Sequence, residues 1–167
     1  MKLLGAGLLW TSLIYVGAAY SIKLKKRVIL IEKTLVFFEE VKILLEFLNM
    51  PIYEMLNEIN KKTYLKDLNF IALCCEKMKN ATDFPLAWKE AVEDTSLLYK
   101  TAEREKLLQL GENLGKSSKE NQLIILNLHT LYFQEYLENA KNTSKRYGNM
   151  ATAIGVLSGC MVFILLI

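Results

Sequence analysis

Residues 3–22 read LLGAGLLWTSLIYVGAAYSI, twenty positions without a charge, and KLKKR follows at 23–27. A helix rising about 1.5 Å per residue carries such a run about 30 Å, the thickness of a bilayer's hydrocarbon core. Tyr20 stands where the membrane interface would lie, and the basic cluster begins just beyond it. The rival reading is a cleaved export signal, with Lys2 as its basic start and Ala19-Tyr20-Ser21 as its cleavage site. The run exceeds the roughly 7–15 apolar residues of such a signal, and the basic cluster behind it opposes export.

The other end repeats the pattern in reverse. Lys141, Lys145 and Arg146 precede a charge-free stretch at 147–167, densest from Ala151 onward. Both basic clusters flank the middle of the chain, so the positive-inside rule puts the middle in the cytoplasm and both termini across the membrane. The expected organisation is an N-terminal transmembrane helix at 1–22, a cytoplasmic helical domain at 23–146 and a C-terminal transmembrane helix at 147–167. Gly155 and Gly159 have the small-xxx-small spacing that supports helix association in a bilayer, and with it a homo-oligomer.

Between the apolar ends the pattern is helical. Two prolines, Pro51 and Pro85, are the only ones in 167 residues, and long runs without breakers favour helices over a turn-rich β architecture. Val28, Ile31, Leu35, Phe38, Val41, Leu45 and Leu48 step by three or four and predict one face of a helix ending before Pro51. A short helix from Pro51 to Ile59 would bury Ile52, Met55, Leu56 and Ile59. Another at 65–79 would bury Leu68, Ile71, Ala72, Cys75 and Met78. Asp83 can cap a helix starting near Pro85, and Leu97-Leu98 would open a further one ending at Leu110-Gly111.

Gly111-Glu112-Asn113-Leu114-Gly115 punctuates the chain and suggests a glycine-capped helix end. Ser117 or Ser118 caps the last helix, and Ser117-Ser118-Lys119-Glu120 fits a capping box in which Glu120 reaches back to Ser117. In the last helix Leu123, Leu126, Thr130, Phe133, Leu137, Ala140 and Ser144 form a 3-4 seam. Nothing but Gly148 offers a joint between this helix and the apolar tail.

Catalytic constellations are missing from the sequence. His129 is the single histidine, set among leucines, and reads as a structural residue. Cys74, Cys75 and Cys160 lack metal-ligand spacing and read as small buried apolar groups. No phosphate-binding glycine loop is present. Net charge is +3 with acids and bases interspersed, unlike a nucleic-acid stripe. The expectation is a non-enzymatic protein with no cofactor, metal, nucleic acid or small-molecule substrate. Membrane lipid is its first partner.

The run from Leu107 to Gln122, LLQLGENLGKSSKENQ, resembles the motif region of the stage III sporulation protein AB family of endospore-forming bacteria. Lys2-Leu3-Leu4-Gly5-Ala6, Ala87-Trp88-Lys89-Glu90-Ala91 and the Gly155, Gly159 tail fit the same family. Ser118 stands where the family often has Asp, an exchange between two good helix caps. The resemblance implies a six-helix antiparallel bundle, similar to the cytoplasmic domain of the type II secretion platform protein, flanked by two terminal transmembrane helices. It implies a component of the channel between mother cell and forespore, facing the mother-cell cytoplasm. Its partners would be a stage III sporulation protein AA-type ATPase and other channel subunits. Gly111, Glu112, Leu114, Gly115 and Gln122 are the candidate docking residues. Apart from the resemblance, a membrane-anchored helical scaffold or regulator of another kind fits the same pattern.

Overall fold

The computed structural model describes residues 2–48, 50–80, 82–95 and 98–166, and the surroundings of their side chains except at 2–10, 13, 149, 152, 155, 159 and 162–166. Its regular elements are helical. Six α-helices are described: α1 (Lys2–Ile43), α2 (Ile52–Asn60), α3 (Asn69–Lys79), α4 (Phe84–Thr95), α5 (Thr101–Asn113) and α6 (Lys119–Leu166). A π-helical turn, Leu44–Leu48, ends α1, and a 3-10 turn, Thr63–Leu65, precedes α3. By contact density the chain divides into unit 1, Met1–Ile29 with Glu138–Ile167, and unit 2, Leu30–Leu137.

The core of unit 2 is aromatic at its centre. Phe37, Phe70 and Trp88 meet with ring centroids 5.3–5.9 Å apart. They come from α1, α3 and α4, and Phe84 joins them at 5.8 Å from Trp88. Such pairs add about 0.5–1.5 kcal/mol each beyond the area they bury. On the α6 side Phe133 stands edge-on to Phe38 at 5.1 Å. Leu107 and Leu110 close the core from α5.

Most of the expected apolar faces are buried. Ile31, Phe38, Val41 and Leu45 are in the core, as are Met55, Leu56, Ile59, Leu68, Ile71 and Cys75. Every seam position of α6 from Leu123 to Ser144 is buried or half-buried. Leu48 departs from the expectation: it is 56% exposed, beside Phe47 at 78%. The π turn puts one extra residue into the last turn of the helix, and this rotates the tip of the stripe out of the core. Ala72 is exposed too, because α3 starts only at Asn69 and turns Phe70, Ile71, Cys74 and Cys75 inward. Residue 97 lies outside the described residues, and the helix expected to begin there starts at Thr101, where the Glu103 carboxylate accepts from the Lys100 N–H at 2.7 Å.

The cysteines divide. Cys74 and Cys75 are buried, and burial raises both thiols, Cys74 to about 12. Cys160 is exposed, against expectation, because it lies on the outer face of a helix and not in the unit 2 core. A maleimide is therefore expected to spare Cys74 and Cys75 until denaturant is added. Mass spectrometry of the native and unfolded chain checks this.

His129 is buried, with Nδ1 2.9 Å from the Ile125 carbonyl oxygen. Desolvation lowers its pKa, and the nearby Lys106 ammonium adds to the shift. The folded state therefore binds the proton less readily than the unfolded chain, whose histidine titrates near 6.5. This contribution to stability is complete above about pH 6.5 and falls as the pH drops below it. Thermal melts between pH 8 and pH 5 should show a steeper loss for the wild type than for His129→Asn. Parallel slopes would mean that the imidazole is not held neutral.

In unit 1, α1 and α6 approach closely where Gly148 lies. A Cβ there would stand 3.2 Å from Ser21 Oγ. The α-helix runs through Gly148 without a break, so the last helix and the tail are one continuous helix, as expected, and this glycine is a contact point. Among the described residues, no helix is long and apolar enough to cross a membrane. Much of the expected membrane segments at 1–22 and 147–167, including Gly155 and Gly159, lies outside the residues whose surroundings are described.

Candidate docking elbow between the last two helices

The two glycines of 111–115 have different tasks. Gly111 is inside α5 and buried. A Cβ on it would stand 2.0 Å from Trp88 Cδ1, so the indole lies directly on the helix backbone. The ring is held there by its own N–H, which donates to the Leu107 carbonyl at 2.7 Å. Gly115 is beyond the helix end at φ +80°. Leu114 has φ −64° and ψ 134°, and the Lys116 N–H reaches the Asn113 carbonyl at 3.4 Å. These are the dihedrals of a type II turn, whose third residue needs a positive φ and so favours glycine.

The elbow is then tied to α6. Gln122 Oε1 accepts from the Gly115 N–H at 3.1 Å, and its Nε2 donates to the Ser117 carbonyl at 2.8 Å. Of the two serines expected as caps, it is Ser118 whose Oγ accepts the Asn121 N–H, at 3.4 Å. The Glu120 carboxyl is held below its usual range, first by its own backbone N–H and then by the Ser118 hydroxyl. Ser118 therefore caps the first turn of α6.

Two recesses flank the turn. One, of about 420 Å³, is lined by Leu45, Met50, Ile52 and Met55 against Ser117 and Gln122. Lys119 stands at its rim and donates to the Glu46 carbonyl at 2.7 Å, which satisfies an acceptor freed at the end of the π turn. The other, of about 840 Å³, is lined by Leu86, Lys89, Glu93, Leu108, Glu112 and Lys116, among others. Of the expected docking residues, Glu112 and Gly115 are exposed, Gln122 is half-buried, and Gly111 and Leu114 face the core. Glu112 is therefore open to solvent, while Gly111, Leu114 and Gln122 shape the elbow. Sequence reasoning missed Leu86 and Lys89, whose proximity to Glu112 depends on how α4 packs on α5.

Among the described residues, no group of three His, Cys, Asp or Glu side chains could hold a metal ion. The model of one family, stage III sporulation protein AB, matches residues 2–167. The chain belongs to the stage III sporulation protein AB family. The match spans all the helices described above, including the elbow, and assigns the chain to stage III of sporulation. Comparison with curated proteins and with solved structures returned no match.

Proposed function

We propose that this family member is a non-enzymatic membrane platform in the mother-cell–forespore channel apparatus, holding a stage III sporulation protein AA-type ATPase at the membrane. The family match across residues 2–167 carries the reading. The distribution of charge supports it. Unit 1 has eight basic side chains and one acid, Glu138, whereas unit 2 has thirteen basic and seventeen acidic ones. A basic unit that also holds the apolar runs suits the cytoplasmic edge of an anionic membrane. An acidic helical unit suits a soluble partner.

The membrane part is tested by washing membranes from sporulating cells with alkaline carbonate. The chain is expected to stay in the pellet, and release into the wash would refute anchoring by transmembrane helices. Docking is tested at the elbow. Glu112→Lys reverses a charge on an exposed site and leaves the core untouched, so helical content should not change. Capture of the ATPase by the full-length protein should fall by tenfold or more, about 1.4 kcal/mol or above. Undiminished capture would exclude this face.

A further inference from the structure

A third groove lies within unit 1, lined by none of the candidate docking residues. It is an open groove of about 570 Å³, lined by Lys25, Val28 and Ile29 of α1 and by Lys141, Ser144 and Lys145 of α6. On each helix the lining residues are spaced by three and four, so each offers one face to the groove. We propose that this groove binds the phosphate of an anionic phospholipid.

The lining matches that ligand in three respects. Lys25, Lys141 and Lys145 line the groove, and unit 1 holds eight basic side chains against one acid, Glu138. Ammonium groups on flexible stems bind a phosphate as point charges and need no fixed fork geometry. Val28 and Ile29 give an apolar wall beside them, with Ile29 48% exposed, which suits the glycerol and first methylenes of a lipid. Ser144 adds a neutral hydroxyl donor.

Position along the chain argues for a lipid over a soluble anion. Lys25 follows the apolar run 3–22 by three residues, and Lys145 precedes the apolar stretch 147–167 by two. Tyr20 and Tyr147 are both partly exposed close by in sequence, as interfacial aromatics are. Arg146 stacks on Tyr147 at 5.4 Å from the ring centroid, outside the lining residues. Basic pockets between helices at the cytoplasmic side of a membrane are general head-group sites.

This inference rests on the membrane reading, and the test separates the two. Full-length protein is reconstituted in nanodiscs of phosphatidylcholine with a minority of phosphatidylglycerol, and co-retained lipid is counted by native mass spectrometry. The wild type should retain phosphatidylglycerol above its share of the bilayer. Lys25→Gln/Lys141→Gln/Lys145→Gln should lower that preference at least about tenfold, since each lysine near an anionic surface is worth roughly fivefold. Lys23→Gln/Lys26→Gln/Arg146→Gln removes the same charge near the same surface but outside the groove, and should lower the preference by a clearly smaller factor. An equal loss in both variants, or no preference in the wild type, would overturn the site while leaving membrane insertion intact. Displacement of the lipid by millimolar inorganic phosphate would overturn lipid as the ligand. Failure of the wild type to enter the bilayer would refute the membrane reading itself, and the site with it.

Discussion

Gly111→Ala is expected to destabilise the helical unit by roughly 3 kcal/mol or more, although alanine is the better helix former. Helix propensity favours the substitution by about 1 kcal/mol. Against that gain stands a methyl group placed 2.0 Å from Trp88 Cδ1 and 2.4 Å from Cγ. The indole has little room to retreat. Phe37 stacks on one side, Phe70 and Phe84 stand against it from elsewhere, and the ring N–H is bonded to the Leu107 carbonyl. Either α5 moves away from α4 or the aromatic cluster repacks, and both cost more than propensity returns. Equilibrium unfolding in urea measures the loss. Pairing Gly111→Ala with Trp88→Leu should cost less than the sum of the two single changes, because the smaller side chain leaves space for the methyl group. Additive losses, or a neutral Gly111→Ala, would show that the indole does not lie on this helix. Gly115→Ala is a useful contrast: its nearest neighbour, Ile52, would be 3.7 Å away, so only the backbone strain of φ +80° remains, about 1–2 kcal/mol.

The contrast between these glycines shows where sequence is legible and where it is not. Both stand in the same five-residue run, and either could have been the helix cap. The distinction lies in Trp88, which is on another helix, and no local pattern links them. The seam of α6 was legible because a heptad over many turns repeats one physical demand, and Leu126, Phe133 and Ala140 answer it in the core. The stripe of α1 was legible up to Leu45 for the same reason. It failed at Leu48 because one π turn shifts the register, and nothing in Leu44-Leu45-Glu46-Phe47-Leu48 announces an extra residue. The elbow was visible as glycines and serines at helix ends. Its division into core-facing Gly111 and Leu114 and outward Glu112 was not, because that depends on which side α4 packs. The basic groove of unit 1 could be anticipated as two lysine clusters, but not as one cavity, since α1 and α6 are more than a hundred residues apart in sequence where they meet.

Phe133→Ala is expected to be the most damaging truncation in α6, with a loss of roughly 3–5 kcal/mol. The ring is fully buried and joins three partners: Phe38 of α1 at 5.1 Å, Tyr136 at 5.6 Å and Tyr99 at 6.5 Å. Removing it takes away its own transfer energy, leaves a cavity and exposes the edge of Phe38 to a void. Phe133→Leu should lose less, because it retains most of the volume but none of the edge-to-face geometry. Leu131→Ala supplies the control. Leu131 is two residues away on the same helix and 63% exposed, so its truncation should stay within about 0.5 kcal/mol. The difference between the two matters for function as well as for stability. In this structure Phe133 ties α6 to α1 within the unit that would carry the ATPase, and both helices continue into the unit that would sit at the membrane. A variant that loosens this tie while the protein remains membrane-bound should weaken ATPase capture without any change at Glu112. Equal losses at positions 131 and 133 would mean that α6 presents a different face to the core, and the elbow and its grooves would have to be redrawn with it.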